Sequence, residues 1–404
     1  MAQLSRRDLM LRASALGCSI AASPLVTPIS FADAPWDNRL VVIVLRGGMD
    51  GLDVVRPVGD PSFAALRPDA RDGLPLDGYF ELHPALAPVL PLWEAGELAF
   101  VHATSTPYRD HRSHFDGQDH LEAGFATPEL GQVRDGWLNR LLQTQTGLRG
   151  DVAFSVGHGE TLLLRGAAPV SNWTPEVDLM MSGPTLLLAE RIMQNDPLFQ
   201  ATFEEAVQIA GSDGDAVMHG MAGAADVTDM EMMNPAPKGT SADKAKAQFV
   251  AQRLTADTRI ASFSMNGWDS HRGQEALLSR SLARLADVLN VLRADLGPVW
   301  AKTTVLALTE FGRTVRLNGS RGTDHGTGGL MLLAGGTLAK SQVLGRWPGL
   351  SEADLYQRRD LLPTSDVRAH AAWAIRHSFG LDRDLLEQTV FPNLDLSHDL
   401  GLFA

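Results

Sequence analysis

Near the start of the chain stands an unbroken apolar run, Leu40-Val41-Val42-Ile43-Val44-Leu45. A strand with one wet face alternates apolar and polar residues. A run with no polar position, rich in β-branched side chains, has both faces covered, as in the interior of a parallel sheet between helices. The run ends in the glycine-rich turn Arg46-Gly47-Gly48-Met49-Asp50-Gly51. Further along, strands and helices alternate by pattern. Leu86 to Trp93 reads as a helix and Leu98 to His102 as a strand. Ser113 to Gly124 and Trp137 to Thr144 read as helices. Asp151 to Val156 and Glu160 to Leu164 read as short strands. Leu186 to Ile209 and Ser241 to Leu254 read as helices, and Arg259 to Met265 as a strand. Gln274 to Leu296 carries the apolar spacing of a long amphipathic helix. Thr303 to Thr309 and Gly328 to Ala334 read as strands, and Val367 to Phe379 as a helix. This alternation predicts an α/β fold with a mostly parallel central sheet flanked by helices on both faces. Gly211 to Gly239, rich in Gly, Ala, Asp, Met and Pro, reads as irregular. The expected organisation is a single α/β domain over 33–404 with a helical and irregular insertion around 175–255.

The N-terminus has the pattern of an export signal. Ser5-Arg6-Arg7-Asp8-Leu9-Met10 precedes a mildly apolar stretch from Ala13 to Ile29, and Ser30-Phe31-Ala32 offers a cleavage site after Ala32. Paired arginines mark the twin-arginine pathway, which carries folded cargo. The expected partner is therefore the twin-arginine export machinery, and the expected location periplasmic or secreted. The stretch contains Pro24 and Pro28 and is too short and mild to span a bilayer, so no membrane insertion is expected after cleavage. The single cysteine, Cys18, lies inside this signal, so the remainder has neither a disulfide nor a thiolate ligand. The net charge of −13 gives no electrostatic reason to bind nucleic acid or anionic lipid.

In a sheet of this kind, ligands gather beyond the carboxyl ends of the strands. Polar clusters fall at these places. Asp50 and Asp53 follow the first strand. His102 ends the second, which leads to Arg109, His111, Arg112, Ser113 and His114. Asp269 and His271 follow the strand ending at Met265, and Glu310 follows Thr309. Asp324 and His325 precede the strand that begins near Gly328. Carboxylates and imidazoles without cysteine suit zinc, manganese, magnesium or calcium. Asp269 and His271, joined by a distant His325, supply three ligands and leave a position open. Ser113, at the start of a helix, is placed where backbone N–H groups favour an oxyanion, and Arg109, Arg112 and Arg313 could balance a phosphate or sulfate. Each feature has a structural alternative. Ser113 with Asp116 also forms a capping box, Asp324 could cap a loop, and Glu310 could pair with Arg313. His83, His158 and His377 read as structural or surface groups.

Five segments stand in a recognisable order: Leu45 to Leu52, Arg112 to Asp116, Gly267 to His271, Thr309 to Thr314, and Gly322 to Gly326. With the Arg-Arg signal and the late Val390-Phe391-Pro392, they resemble a bacterial export family known as domain of unknown function 1501. That family looks like a branch of the alkaline phosphatase and sulfatase superfamily. The resemblance implies a two-metal ester hydrolase acting on a small phosphate or sulfate ester. It implies Asp50 as the first metal-binding aspartate and Ser113 as nucleophile, with Thr106 and Ser105 as competitors. It implies Asp269, His271 and His325 on one metal, and Glu310 as the carboxylate of a second. Asp324-His325 matches the superfamily's Asp-His pair by letters, and Phe311 stands where a histidine ligand is expected. His114 or His111 would then serve as acid or base. A rival reading is a non-catalytic exported protein on the same fold that binds a metal, an anion or a partner.

Overall fold

The computed structural model describes residues 36–70, 72–109, 111–126, 135–157, 161–174, 242–396 and 398–403. The expected export signal, the Leu186–Ile209 helix, the 211–239 loop and His158 lie outside the described residues. The run at Leu40 forms β1, Arg39–Arg46, at the heart of a nine-stranded sheet. The further strands are β2 (Leu98–Ser105), β3 (Ala153–Val156), β4 (Ser171–Trp173), β5 (Ile260–Asn266), β6 (Thr303–Leu308), β7 (Gly329–Ala334), β8 (Val343–Leu344) and β9 (Ser365–Asp366). Their spatial order is β8-β2-β7-β6-β1-β5-β3-β4, with β9 also on β2. The pairs β1–β5, β1–β6, β3–β5, β3–β4, β2–β8 and β2–β9 are parallel. Among the described residues, only β7 runs against its neighbours, β2 and β6. The architecture is thus mixed α/β with a large, mostly parallel sheet.

The absence of polar positions between Leu40 and Leu45 has the expected consequence. Leu40, Val42 and Val44 point into one core layer and Val41, Ile43 and Leu45 into the other. The first layer is closed by α2 (Trp137–Gln143) and α5 (Val367–Phe379), through Leu138, Leu141, Ala371 and Ile375. The second is closed by α3 (Ala242–Leu254) and α4 (Gln274–Leu296). In α4, Leu278, Leu282, Leu285, Leu289, Leu292 and Leu296 recur at helical spacing and are all buried. Burying each contributes roughly 1.5–3 kcal/mol. Because Ala247, Val250 and Leu254 of α3 share this layer, α3 belongs to the body of the fold. A further helix, α1 (His114–Ala123), follows β2 in the chain.

Some local expectations differ from the structure. Leu162–Leu164 forms a 3-10 turn and not a strand. Leu86–Trp93 is divided into a 3-10 segment, Pro84–Val89, and a short α-turn, Leu90–Glu94, because Pro88 and Pro91 cannot donate to a continuous α-helical ladder. The sequence reading missed β4 and a small antiparallel sheet made of Val55–Arg56, Leu74–Pro75 and Glu81–Leu82. Each of these strands has two or three residues, too few to show a period. Among the described residues, no helix is long and apolar enough to cross a membrane.

Two buried histidines are held neutral. His102 donates from Nε2 to the Val55 carbonyl at 2.9 Å, and its Nδ1 accepts the Ala103 N–H at 3.1 Å. Burial lowers the pKa of both His102 and His370 to about 4, against 6.5 for an unburied imidazole. Between these values the unfolded chain takes up protons that the folded chain does not. Their stabilisation is therefore complete above about pH 6.5 and is lost as pH falls towards 4. Each contributes roughly 2–3 kcal/mol to the loss at about pH 4.5. Urea unfolding at neutral pH and at pH ~4.5 should show His102→Gln losing less stability than wild type by that amount. An equal loss in the two proteins would contradict this account.

Candidate metal centre

The reversal of β7 brings distant segments to one edge of the sheet. After β6 ends at Leu308, the chain loops back so that β7 begins, at Gly329, beside the strand end where β6 stopped. His325, just before β7, thereby meets the residues that follow β1, β2, β5 and β6. Close approach at this edge requires glycine. At Gly47 (φ +125°) a Cβ would lie 2.4 Å from the Asp269 nitrogen, and at Gly322 it would lie 2.1 Å from the His271 carbonyl carbon.

Three imidazoles and one carboxylate converge here. His114, Asp269 and His325 each offer a ligand atom within 4.8 Å of the others. His114 Nε2 lies 3.5 Å from Asp269 Oδ2, and His325 Nε2 lies 3.4 Å from Asp269 Oδ1. His271 Nε2 lies 2.9 Å from His325 Nε2 and 3.1 Å from Asp269 Oδ1. Each histidine is anchored through its other nitrogen. His114 Nδ1 donates to Glu310 Oε1 at 2.9 Å, His271 Nδ1 to Asp324 Oδ1 at 3.2 Å, and His325 Nδ1 to the Arg112 carbonyl at 2.8 Å. A neutral imidazole that donates from Nδ1 carries a lone pair on Nε2. All three lone pairs therefore belong to the nitrogens that converge.

The donor set fits a cation. Two ligand atoms bound at 2.0–2.1 Å are separated by about 3.0 Å in octahedral and about 3.4 Å in tetrahedral geometry. The four separations given lie between 2.9 and 3.5 Å, in or close to that range, and His114, Asp269 and His325 form the group whose atoms all lie close to one another. His114 Nε2 is buried and makes no hydrogen bond. Anchoring of Nδ1 by a carboxylate or carbonyl is the usual support of a metal-binding histidine. The electrostatics agree. The Glu310 hydrogen bond is the largest influence on His114 and raises its pKa, making Nε2 a stronger base. Burial leads in lowering the pKa of His325, which favours its neutral, ligating form. Burial pushes the Asp269 carboxyl up, but the hydrogen bond and charge of Arg313, with the neighbouring histidines, leave it below the usual range. Burial likewise opposes ionisation of Glu310, and His114 with the Glu310 and Gly47 backbone N–H groups outweighs it.

The residues expected from sequence thus occupy several different places. Asp269, His271 and His325 come together. Glu310 and Asp324 stand behind histidines, as anchors. His114, expected as acid or base, presents Nε2 to the cluster. Asp50 does not join it. Its Oδ2 accepts from Arg67 Nη1 at 2.7 Å and from Gln274 Nε2 at 2.6 Å, and its Oδ1 accepts the Leu52 N–H at 3.2 Å, all in a buried setting. Ser113 is the N-cap of α1, where its Oγ accepts the Asp116 N–H at 3.4 Å. Thr106 and Ser105 are buried. Thr106 Oγ1 accepts the Tyr108 N–H, and Ser105 Oγ donates to the Thr106 carbonyl. His111 is exposed, its ring stacked on Tyr108. Arg112 Nη2 donates to the buried Asp360 at 3.2 Å. The backbone of Arg112 is left-handed (φ 52°), an uncommon state for an arginine, in the residue whose carbonyl anchors His325. Phe311 is buried and packs against the His114 and His325 rings, with centroids at 5.1 and 4.9 Å. It is an apolar wall behind two imidazoles.

Arg313 joins these parts. Fully buried, it donates from Nε to the Gly48 carbonyl at 2.7 Å and from Nη1 to the Thr323 carbonyl at 3.0 Å. Its Nη2 donates to the Gly47 carbonyl and to Asp269 Oδ1. Sequence offered the neighbouring Glu310, or a phosphate or sulfate, as its partner; the structure instead commits its donors to backbone carbonyls and Asp269, to which no local signal pointed. Removing a buried partner of this kind leaves polar groups stranded. Arg313→Met should lower the unfolding free energy by about 3–5 kcal/mol, and Arg313→Lys should not restore it, because an ammonium cannot reproduce the fork. A loss below about 1 kcal/mol in urea unfolding would contradict this.

Comparison with known proteins adds a family. No curated protein matches the chain. Among solved structures, the C-terminal periplasmic domain of EcEptC from Escherichia coli, in complex with zinc, is 10% identical. It covers 76% of this chain and 74% of its own, at a TM-score of 0.34. A protein in the alkaline phosphatase superfamily from Vibrio parahaemolyticus is 13% identical and covers 75% of this chain, at a TM-score of 0.36. The chain spans 62% of that protein's length. The lipoteichoic acid synthase LtaP from Listeria monocytogenes is 7% identical and covers 71% of this chain and 59% of its own, at a TM-score of 0.30. Likeness at this level carries no information about what the chain does. The model of a family described as "Protein of unknown function (DUF1501)" matches residues 110–390, well over half the length, and the chain belongs to that family.

Proposed function

We propose that the chain is an exported, metal-dependent hydrolase of phosphate or sulfate esters, with one divalent ion held by His114, Asp269, His271 and His325. The observation that carries the metal is the orientation of the histidines. Three Nδ1 atoms are occupied by acceptors, so the Nε2 lone pairs of His114 and His325 cluster with the Asp269 carboxylate, and that of His271 lies against His325 and Asp269. Only a cation or a proton relieves that arrangement. A divalent ion would polarise an ester oxygen and offset charge on the leaving group. The protein supplies the rest. Glu310, Asp324 and the Arg112 carbonyl set the tautomers and ring orientations. Phe311 keeps water from the back of two rings. Ser113 precedes His114 at the positive end of α1, where negative charge on an oxygen is favoured. Its Oγ accepts the Asp116 N–H. Export to the periplasm rests on the Arg6-Arg7 signal and the absence of cysteine beyond Cys18.

One observation favours a second reading, a non-catalytic metal-binding protein. Ser113 is occupied as a helix cap, and among the described residues no second metal cluster is found. Metal analysis and turnover separate the two. The hydrolase predicts a bound divalent ion, loss of that ion in a His114→Ala, His325→Ala double variant, and loss of aryl phosphate or aryl sulfate hydrolysis in Ser113→Ala at unchanged metal content. Glu310→Gln should retain the ion at about 10–100-fold lower affinity. Wild-type turnover by Ser113→Ala would remove Ser113 from the mechanism. Bound metal without turnover would favour the binding protein, and absence of metal would refute both.

A further inference from the structure

Beside Gly273 and Gln274 lies a cavity of about 390 Å³, which the metal centre does not use. His83 lines it and is only 4% exposed. Its Nδ1 accepts the Ala85 N–H at 3.1 Å, so its hydrogen is on Nε2. That N–H has no protein partner among the described residues, and it is not sealed from the cavity. A second set of donors comes from α4, a 23-residue helix whose first turn lines the same space. Its N-cap, Gly273, provides no side-chain cap. The Gln274 N–H is taken by the Arg321 carbonyl, while the N–H groups of Glu275 and Ala276 have no acceptor among the described residues. Uncapped helix N–H groups and the helix dipole favour an anion.

The charges lining the cavity refine the choice of ligand. Deep inside, Arg56 pairs with Asp53 at 2.8 Å and Arg67 with Asp50 at 2.7 Å. Three exposed charges without side-chain partners among the described residues remain at the mouth: Arg321, Asp69 and Glu275. A simple anion would meet two carboxylates there. A ligand with both a carboxylate and an ammonium would satisfy both sets of groups. We propose that this cavity binds a small zwitterion, an α-amino acid or a short peptide. Its carboxylate sits on His83 Nε2–H, the α4 N–H groups and Arg321, and its ammonium faces Asp69 and Glu275. The site shares no ligand residue with the metal centre and does not depend on the reading of that centre.

The test is binding of each common amino acid at about 10 mM to the purified full chain, by thermal shift and then calorimetry, with acetate and inorganic phosphate as controls. At least one amino acid should raise the melting temperature and bind more tightly than either control. Its affinity should fall about tenfold or more in Arg321→Ala and in Glu275→Gln, which are surface changes that leave the fold and the metal content intact. Three results would each overturn the proposal. They are the absence of binding by every amino acid, binding unaffected by both substitutions, and acetate or phosphate binding as tightly as the best amino acid.

Discussion

The site depends on one buried guanidinium. Arg313 accepts no solvent contact and spends its donors on the Gly47, Gly48 and Thr323 carbonyls and on Asp269. These groups belong to three separate connections: the one after β1, the one after β5, and the one between β6 and β7. A planar fork can hold several oxygens in fixed directions at once, which a flexible ammonium cannot. Asp269 is thereby fixed where it meets the histidines. Partial burial opposes its ionisation, and the hydrogen bond and charge of Arg313, with the neighbouring histidines, keep it ionised against that effect.

Around this pin, Glu310 and Asp324 orient other polar groups. Glu310 is fully buried and accepts from the Gly47 N–H at 2.7 Å as well as from His114. Both of those bonds fall on Oε1, while Oε2 accepts the Thr309 hydroxyl at 3.1 Å. Asp324 is held by Asn318 at 3.1 Å and in turn holds His271. The result is a layer of anchors behind a layer of imidazoles. This organisation leaves one set of converging ligand atoms among the described residues, and Phe311 packs against two of the imidazoles.

How much of this was legible in the sequence depended on the range of the interaction. The doubly buried run of β1 announced a parallel sheet because its pattern is local. The Gln274–Leu296 helix was readable to its ends because its apolar spacing persists over many turns. The direction of β7 was not readable, since it is decided by the path of the 309–328 loop and by the contacts that loop makes. The strand-end carboxylates could be found, but their roles could not. Asp50 looks like a ligand until Arg67 and Gln274 are brought to it, and Gln274 is far along the chain. Glu310 looks like a ligand until His114 lies against it. An acid that holds a histidine and an acid that holds a metal are the same letter, and only their neighbours distinguish them.

The central claim is that three imidazoles and Asp269 present their free atoms to one cation. X-ray absorption at the zinc edge on zinc-loaded protein tests it most directly. The account predicts a nitrogen and oxygen shell near 2.0–2.1 Å without sulfur, with strong outer-shell scattering from imidazole rings that weakens in His325→Ala. A shell lacking imidazole scattering, or one unchanged when His114 and His325 are both replaced, would contradict it.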